Sequence, residues 1–226
     1  IKEAPALYAQ VAAGKLPPAA ERMPADVRVV DVVEEIGQYG GTWRRVAVGP
    51  NDVGSWAHRL SYDCPLRYGP AGSEIVPHII KGFEVGGEGS EFTLFLRKGH
   101  KFSDGAPFTA DDFVFWFEDI YGNPEIVASP DPAMSIGGEP GQIVKLDDTT
   151  VAFKFAAPYP LFLDILSGDS LIGGGQSVRQ AKGRGYGAYT PGHYLQQFHP
   201  KYASEDELNA MAQEEGYDNW VSLLKF

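Results

Sequence analysis

The spacing of apolar and polar residues is most regular between residues 75 and 155. Phe92-Thr93-Leu94-Phe95-Leu96-Arg97 alternates in the way of a half-buried strand, and the apolar run Ile75 to Val85 before it is separated from it by the turn Gly86-Gly87-Glu88-Gly89. Gln142 to Leu146 and Thr150 to Phe155 flank Asp147-Asp148-Thr149, a hairpin pattern. Between them, Thr109 to Tyr121 predicts a helix. Thr109 suits the N-cap, Asp111 and Asp112 suit the positive end of the helix dipole, and Phe113, Trp116, Phe117 and Ile120 share one face.

The flanks are less regular. Residues 6–13 are helix formers stopped by Gly14 and Pro17-Pro18, and Val27, Val29 and Val30 suggest a brief extended segment before Gly37. Tyr39-Gly40-Gly41-Thr42-Trp43-Arg44-Arg45-Val46-Ala47-Val48 predicts a strand, ended by Gly49-Pro50-Asn51-Asp52. Further on, the pattern predicts a short apolar helix over 161–167, a glycine-rich loop over 173–192 and two closing helices. The first closing helix covers 205–215 with Ser204 as cap and Gly216 as stop, and the second covers 220–224 with Asp218 as cap.

Composition narrows the function. At 226 residues with 43% hydrophobic and 22% charged residues the chain is globular, and 27 Gly with 17 Pro predict short elements joined by many turns. The net charge of −11, with no basic block, makes nucleic acid a poor partner. A lone cysteine, Cys64, rules out an internal disulfide framework and a multi-cysteine zinc site. No apolar run reaches the ~18–20 residues that span a bilayer, and the first residues lack the pattern of a signal peptide.

Catalytic and cofactor chemistry finds little support in the residues. Gly173-Gly174-Gly175 and Gly183-Arg184-Gly185-Tyr186-Gly187 match neither the dinucleotide fingerprint nor the P-loop, so no cofactor is expected. His58, His78, His100, His193 and His199 lack the spacing of a helical metal pair, and no metal is expected. Asp111/Asp112, Asp147/Asp148 and Glu214/Glu215 are candidate carboxylate pairs for an alternative reading as a carbohydrate-active enzyme fragment. Neighbouring residues on a helix diverge, however, and the second pair sits in a turn, so capping and solvated roles fit them better and no catalytic residue is assigned. The loop after the 39–48 strand is richer. Asn51, Asp52, Ser55, Trp56, His58 and Tyr62 combine ring faces with short polar groups, the mixture with which proteins stack and orient a peptide or sugar.

One run carries a specific resemblance. Residues 91–121, EFTLFLRKGHKFSDGAPFTADDFVFWFEDIY, resemble the signature of family 5 of the extracellular solute-binding proteins: a strand ending L-R-K-G, then K-F-x-D-G-x-P-F-T-A-x-D, then an aromatic helix. Tyr39 to Val46, Ile75 to Val85 and Ala188 to Leu195 resemble further family elements in order and spacing, so the resemblance runs from about residue 26 onward. Phe83 departs from the usual Trp, and Cys64-Pro65-Leu66-Arg67 from the usual aspartate, glycine and apolar pair.

The resemblance implies a mixed α/β (α+β) fold of the periplasmic-binding-protein type, class II, cluster C. It also implies a non-enzymatic receptor, periplasmic or extracellular, that hands a peptide- or oligosaccharide-like solute to a membrane ABC permease. Residues 1–46 and 178–226 would then belong to the first ligand-binding lobe and 47–177 to a subdomain inserted into it. The second lobe would be absent from this chain. An apolar face meant for missing chain would in that case be exposed and would promote self-association.

Overall fold

The computed structural model describes residues 2–50, 52, 63–168, 170–173 and 186–225. Its centre is a four-stranded antiparallel sheet. Strands β1 (Leu66–Tyr68) and β2 (Ile75–Pro77) form a small hairpin, and β3 (Ile80–Gly86) and β4 (Glu91–Leu96) follow. The two-residue strands β5 (Ser135–Ile136) and β6 (Glu139–Pro140) pair with each other, and β7 (Gln142–Asp147) and β8 (Thr150–Lys154) complete the set. The sheet order is β3-β4-β8-β7, with Phe92 opposite Phe153 and Leu94 opposite Val151 at its middle.

Alternation explains β4: Phe92, Leu94 and Leu96 point into the core, while Glu91, Thr93 and Phe95 face the other side. The turn between β7 and β8 is closed by Asp147, whose carboxylate accepts from Thr149 N (2.7 Å) and Thr150 Oγ1 (2.8 Å). Phe92, Phe153, Phe155, Tyr159 and Phe162 interlock beneath the sheet with ring centroids 4.7–6.2 Å apart. Each such ring buries a large apolar area.

The helices are short. α1 (Tyr8–Ala12) and α2 (Ala19–Arg22) lie at the N-terminal end, and α3 (Ala110–Phe115) packs against the sheet, with Phe113 6.3 Å from Phe153. α4 (Phe162–Ser167), α5 (Gly192–Leu195), α6 (Glu205–Glu214) and α7 (Trp220–Lys225) follow. α3 is capped as expected: Thr109 Oγ1 accepts from Asp111 N (3.3 Å) and Asp112 Oδ2 accepts from Thr109 N (2.9 Å). The predicted helix does not run on regularly to Tyr121, because Trp116–Tyr121 widen into a π-helical turn. This turn brings Trp116, Asp119 and Ile120 inward and leaves Phe117 only half-buried. Asp119 is held there by Lys201 Nζ (2.7 Å) and Tyr202 Oη (2.6 Å).

At the C-terminal end Ser204 and Glu207 cap α6 reciprocally, and Gly216 follows it at φ 82°. The cap of α7 is not Asp218 but its neighbour: Asn219 Oδ1 accepts from Ser222 N (3.0 Å). Asn209 on α6 fixes the join by accepting from Trp220 N (3.0 Å).

The largest departure concerns the predicted strand at 39–48 and the extended segment before it. Residues up to 28 are tied to the body, with Ala25 N donating to Lys98 O (3.0 Å) and Arg97 Nη1 donating to Asp26 O (3.0 Å). Beyond them the chain runs out as an arm containing no strand. Val29, Val32, Val33, Ile36, Tyr39, Trp43, Val46 and Val48 are all exposed, Val46 at 93% and Val48 at 100%. A strand exists only as a member of a ladder, and among the described residues none lies beside this arm to pair with it. No described helix is long and apolar enough to cross a membrane.

Candidate functional site

The residues expected to face a ligand fall in sequence between the arm and Asp63. Of these, Asp52 falls within the described residues, and its carboxylate accepts from Val48 N (2.7 Å) and Gly49 N (3.4 Å), closing the turn at the end of the arm. Asn51, Ser55, Trp56, His58 and Tyr62 lie outside the described residues.

A polar junction forms at Asp63 that the sequence pattern does not reveal. His78 Nε2 meets Asp63 Oδ1 at 2.8 Å, and its other ring nitrogen meets the Arg28 guanidinium. Arg97, almost fully buried, aims Nε and Nη2 at the His78 carbonyl (3.4 Å each) and lies 3.7 Å from Asp26, which Lys81 also approaches (3.4 Å). The Tyr189 hydroxyl donates to the Asp63 carbonyl, and Cys64 Sγ donates to Gly168 O (3.0 Å). The ends of strand β4 and of the β1–β2 hairpin and the returning chain near Tyr189 thus converge at Asp63, Cys64 and His78.

Burial and like charges set the electrostatics of the junction. Burial chiefly holds His78 below the ordinary histidine value, with Arg67 and Arg28 adding to it and Asp63 opposing. His100 is lowered by burial first and by Arg97 second, and Tyr189 is raised by burial. Both imidazoles are therefore held towards the neutral form; His78 is engaged through both ring nitrogens, whereas Nδ1 of His100 is buried with no hydrogen-bond partner among the described residues. A 160 Å³ cavity lined by Asp63, His100, Phe102, Phe108 and Tyr189 opens beside them. It is smaller than the ~300 Å³ from which ligand pockets usually start, so this corner can form one wall of a solute site but not the whole of it.

The motif at 97–112 serves architecture. Gly99 (φ 79°) and Gly105 (φ 93°) adopt left-handed turns that a side chain would strain. Asp112 reaches from the cap of α3 to the returning chain, accepting from Gly192 N (3.2 Å). A Cβ at Gly192 would crowd the Phe115 ring, which it would meet at 3.1 Å. His193 Nε2 pairs with Asp104 at 2.7 Å. Two of the three carboxylate pairs have structural partners too. Asp111 and Asp148 share Lys145 (2.8 and 2.7 Å), and Asp147 closes its turn. Among the described residues no group of three or more His, Cys, Asp or Glu gathers as metal ligands would.

A sheet capped by an aromatic helix, a returning chain pinned to that helix and a glycine-punctuated turn between them define one lobe of a periplasmic-type solute-binding fold. Residues 74–192 match the model of the bacterial extracellular solute-binding proteins, family 5, middle region, and the chain belongs to that family. Over 85% of its length the chain is 28% identical to the periplasmic alpha-galactoside-binding protein of Rhizobium meliloti, of which it covers 28%. Among solved structures, an oligopeptide-binding protein OppA matches with a TM-score of 0.78 and 39% identity over 99% of this chain and 32% of that one. The periplasmic binding protein MelB of Agrobacterium fabrum C58, solved in complex with stachyose, matches with a TM-score of 0.52 and 26% identity over 85% of this chain and 30% of that one. The chain thus spans 28–32% of the length of these relatives.

Proposed function

We propose that this chain forms part of the solute receptor of an ABC importer, periplasmic or extracellular, which traps a peptide- or oligosaccharide-like solute between two lobes and presents it to a membrane permease. In this reading residues 1–46 and 178–226 belong to the first ligand-binding lobe, and 47–177 form the subdomain inserted into it. Asn51, Asp52, Ser55, Trp56, His58 and Tyr62 supply one wall of the solute site.

The observation that carries the reading is the contrast between a closely packed body and an arm whose apolar residues all face outward. In a family whose members are about three times longer, such an arm is the place where further chain completes the lobe. Trapping by closure needs contacts from both sides of the solute, since a ligand shifts an equilibrium only by its differential affinity for the two states.

Calorimetric titration with stachyose and with a defined tetrapeptide tests the reading, on this chain and on a version extended to the relatives' length. The extended protein is expected to bind one of the two at least about a hundredfold more tightly, a difference of about 2.7 kcal/mol. Equal affinity for both versions would sink the split site.

A further inference from the structure

The face of the sheet away from the core carries an aromatic ring that core packing does not account for. Along β4 the outward residues are Glu91, Thr93 and Phe95. Phe95 is half-buried, yet it is not one of the side chains packed on the core, and among the described residues its ring meets no other ring. Its cross-strand neighbours are Thr150 on β8 and Gly82 on β3. A glycine inside a strand weakens it and marks a bulge or a place where another group comes close. Gly82 does not adopt the left-handed backbone that requires glycine, and a Cβ there would meet the Phe95 ring at an ordinary 3.9 Å. Its effect is to leave that side of the ring uncovered by β3.

Polar groups gather round this ring. Lys81 is the extra residue of a bulge between Ile80 and Gly82, and bulges re-aim side chains. Its ammonium group stands 3.4 Å from the Asp26 carboxylate, and both side chains stay accessible, at 64% and 44%, so the pair keeps spare donors and acceptors. With Leu96, Lys98 and Thr149 they line a concavity of 450 Å³ at Gly82 and Phe95, inside the ~300–1,000 Å³ range of small-molecule sites. A bare ring beside a paired donor and acceptor matches one ligand chemistry well. A pyranose has an apolar C–H face that lies on an aromatic ring, and adjacent hydroxyls that both donate and accept. The opposite charges of Lys81 and Asp26 offset each other, which suits a neutral ligand better than an ion.

We propose that this concavity binds a hexopyranose, its C–H face on Phe95 and two adjacent hydroxyls on Asp26 and Lys81. The inference rests on β3, β4 and Asp26 and does not depend on the two-lobed reading.

Titration of the backbone amide signals of this chain by NMR tests it, with the methyl glycosides of glucose, galactose and mannose as probes. At least one is expected to shift the amides of residues 82 and 95 with a Kd of about 1–10 mM, and cyclohexanol, which has the ring without the hydroxyl pair, to bind at least about tenfold more weakly, a difference of about 1.4 kcal/mol. Phe95→Ala, which removes no core contact, and Gly82→Val, which covers the ring with a residue suited to a strand, are each expected to weaken the glycoside by more than about tenfold, and Gly82→Val to leave the urea midpoint no lower than the parent's. Lys81→Met is expected to lose about tenfold, whereas Glu84→Gln, on β3 but outside the concavity, is expected to change binding less than about twofold. Absence of shifts with all three glycosides, equal affinity for cyclohexanol, or unchanged binding in Phe95→Ala or Gly82→Val would each overturn the proposal. So would a lowered midpoint in Gly82→Val, because the glycine would then serve the fold rather than a ligand.

Discussion

The body and the arm are written in similar residues and meet opposite fates. Val151 and Phe153 in β8 are fully buried between β4 and β7, whereas Val46 and Val48 in the arm are bare. Neither β propensity nor hydrophobicity distinguishes Thr150–Lys154 from Trp43–Val48. The difference is a neighbour. β8 has a ladder on each side, and the arm has none among the described residues. Strand formation is therefore a property of pairs of segments, and a chain can hold a good strand sequence that stays open until its partner arrives.

The largest effect expected from this contrast is in the body. Phe153 contacts Phe113 and Phe162 at ring distances of 6.3 and 5.2 Å and is fully buried, so Phe153→Ala removes a central block of the aromatic core. Truncations of this kind cost about 3–5 kcal/mol. Urea denaturation followed by tyrosine and tryptophan fluorescence is expected to show a loss in that range. A loss below about 1 kcal/mol would mean that the sheet and α3 are not one packed unit.

A smaller effect comes from the joint between α3 and the returning chain. Burial raises Asp112 from its ordinary value to about 6, although Thr109 N and Gly192 N both donate to it and pull the other way. The folded chain thus holds this proton more tightly than the unfolded chain does. The ionised form costs stability, a cost absent below about pH 4 that grows between about pH 4 and 6 and is complete above that, on the order of 3 kcal/mol. His78, His100 and His199, lowered mainly by burial, act with the opposite sign: they destabilise the fold as pH falls below the ordinary histidine value. Subtracting the stability profile of Asp112→Asn from that of the parent cancels the histidines. The difference is expected to move against the parent between pH 4 and 6 and to be flat above pH 6.5. A difference that is flat throughout would place Asp112 in solvent and detach the return segment from α3.

The sequence disclosed most of the body because the body is built from local signals. The alternation of Phe92, Leu94 and Leu96, the Asp147-Asp148-Thr149 turn and the Thr109 cap each act within a few residues, and each forms as expected. What stayed hidden depends on distant partners. The π-helical turn at Trp116–Tyr121 accommodates Asp119, whose partners Lys201 and Tyr202 are 82 and 83 residues away. The junction at His78 draws Arg28 from 50 residues before it and Asp63 from 15, a spacing no local motif encodes. Of its members, Arg97 lies in the L-R-K-G run that ends β4 and His78 in the Ile75–Val85 run, and neither run marks the pairing between them. Of the predicted ligand wall, Asp52 lies within the described residues, as the closer of a turn.

The smallest effect on folding is expected in the arm, and there it sharpens the comparison most. Val46 is 93% exposed, so Val46→Lys removes no packing and is expected to leave the denaturation midpoint of this chain within about 0.5 kcal/mol of the parent. Association should respond quite differently. A row of apolar side chains beside open backbone donors and acceptors is a template for a second strand, and a lysine there disfavours pairing. In sedimentation velocity the parent is expected to self-associate as its concentration rises, and Val46→Lys to remain monomeric at the same concentrations. Glu205→Gln, which brings the same charge change of one unit to the body, should leave association as it is. If Val46→Lys instead destabilises the fold by more than about 1 kcal/mol, the arm is already packed on the body, and the contrast between the two regions fails.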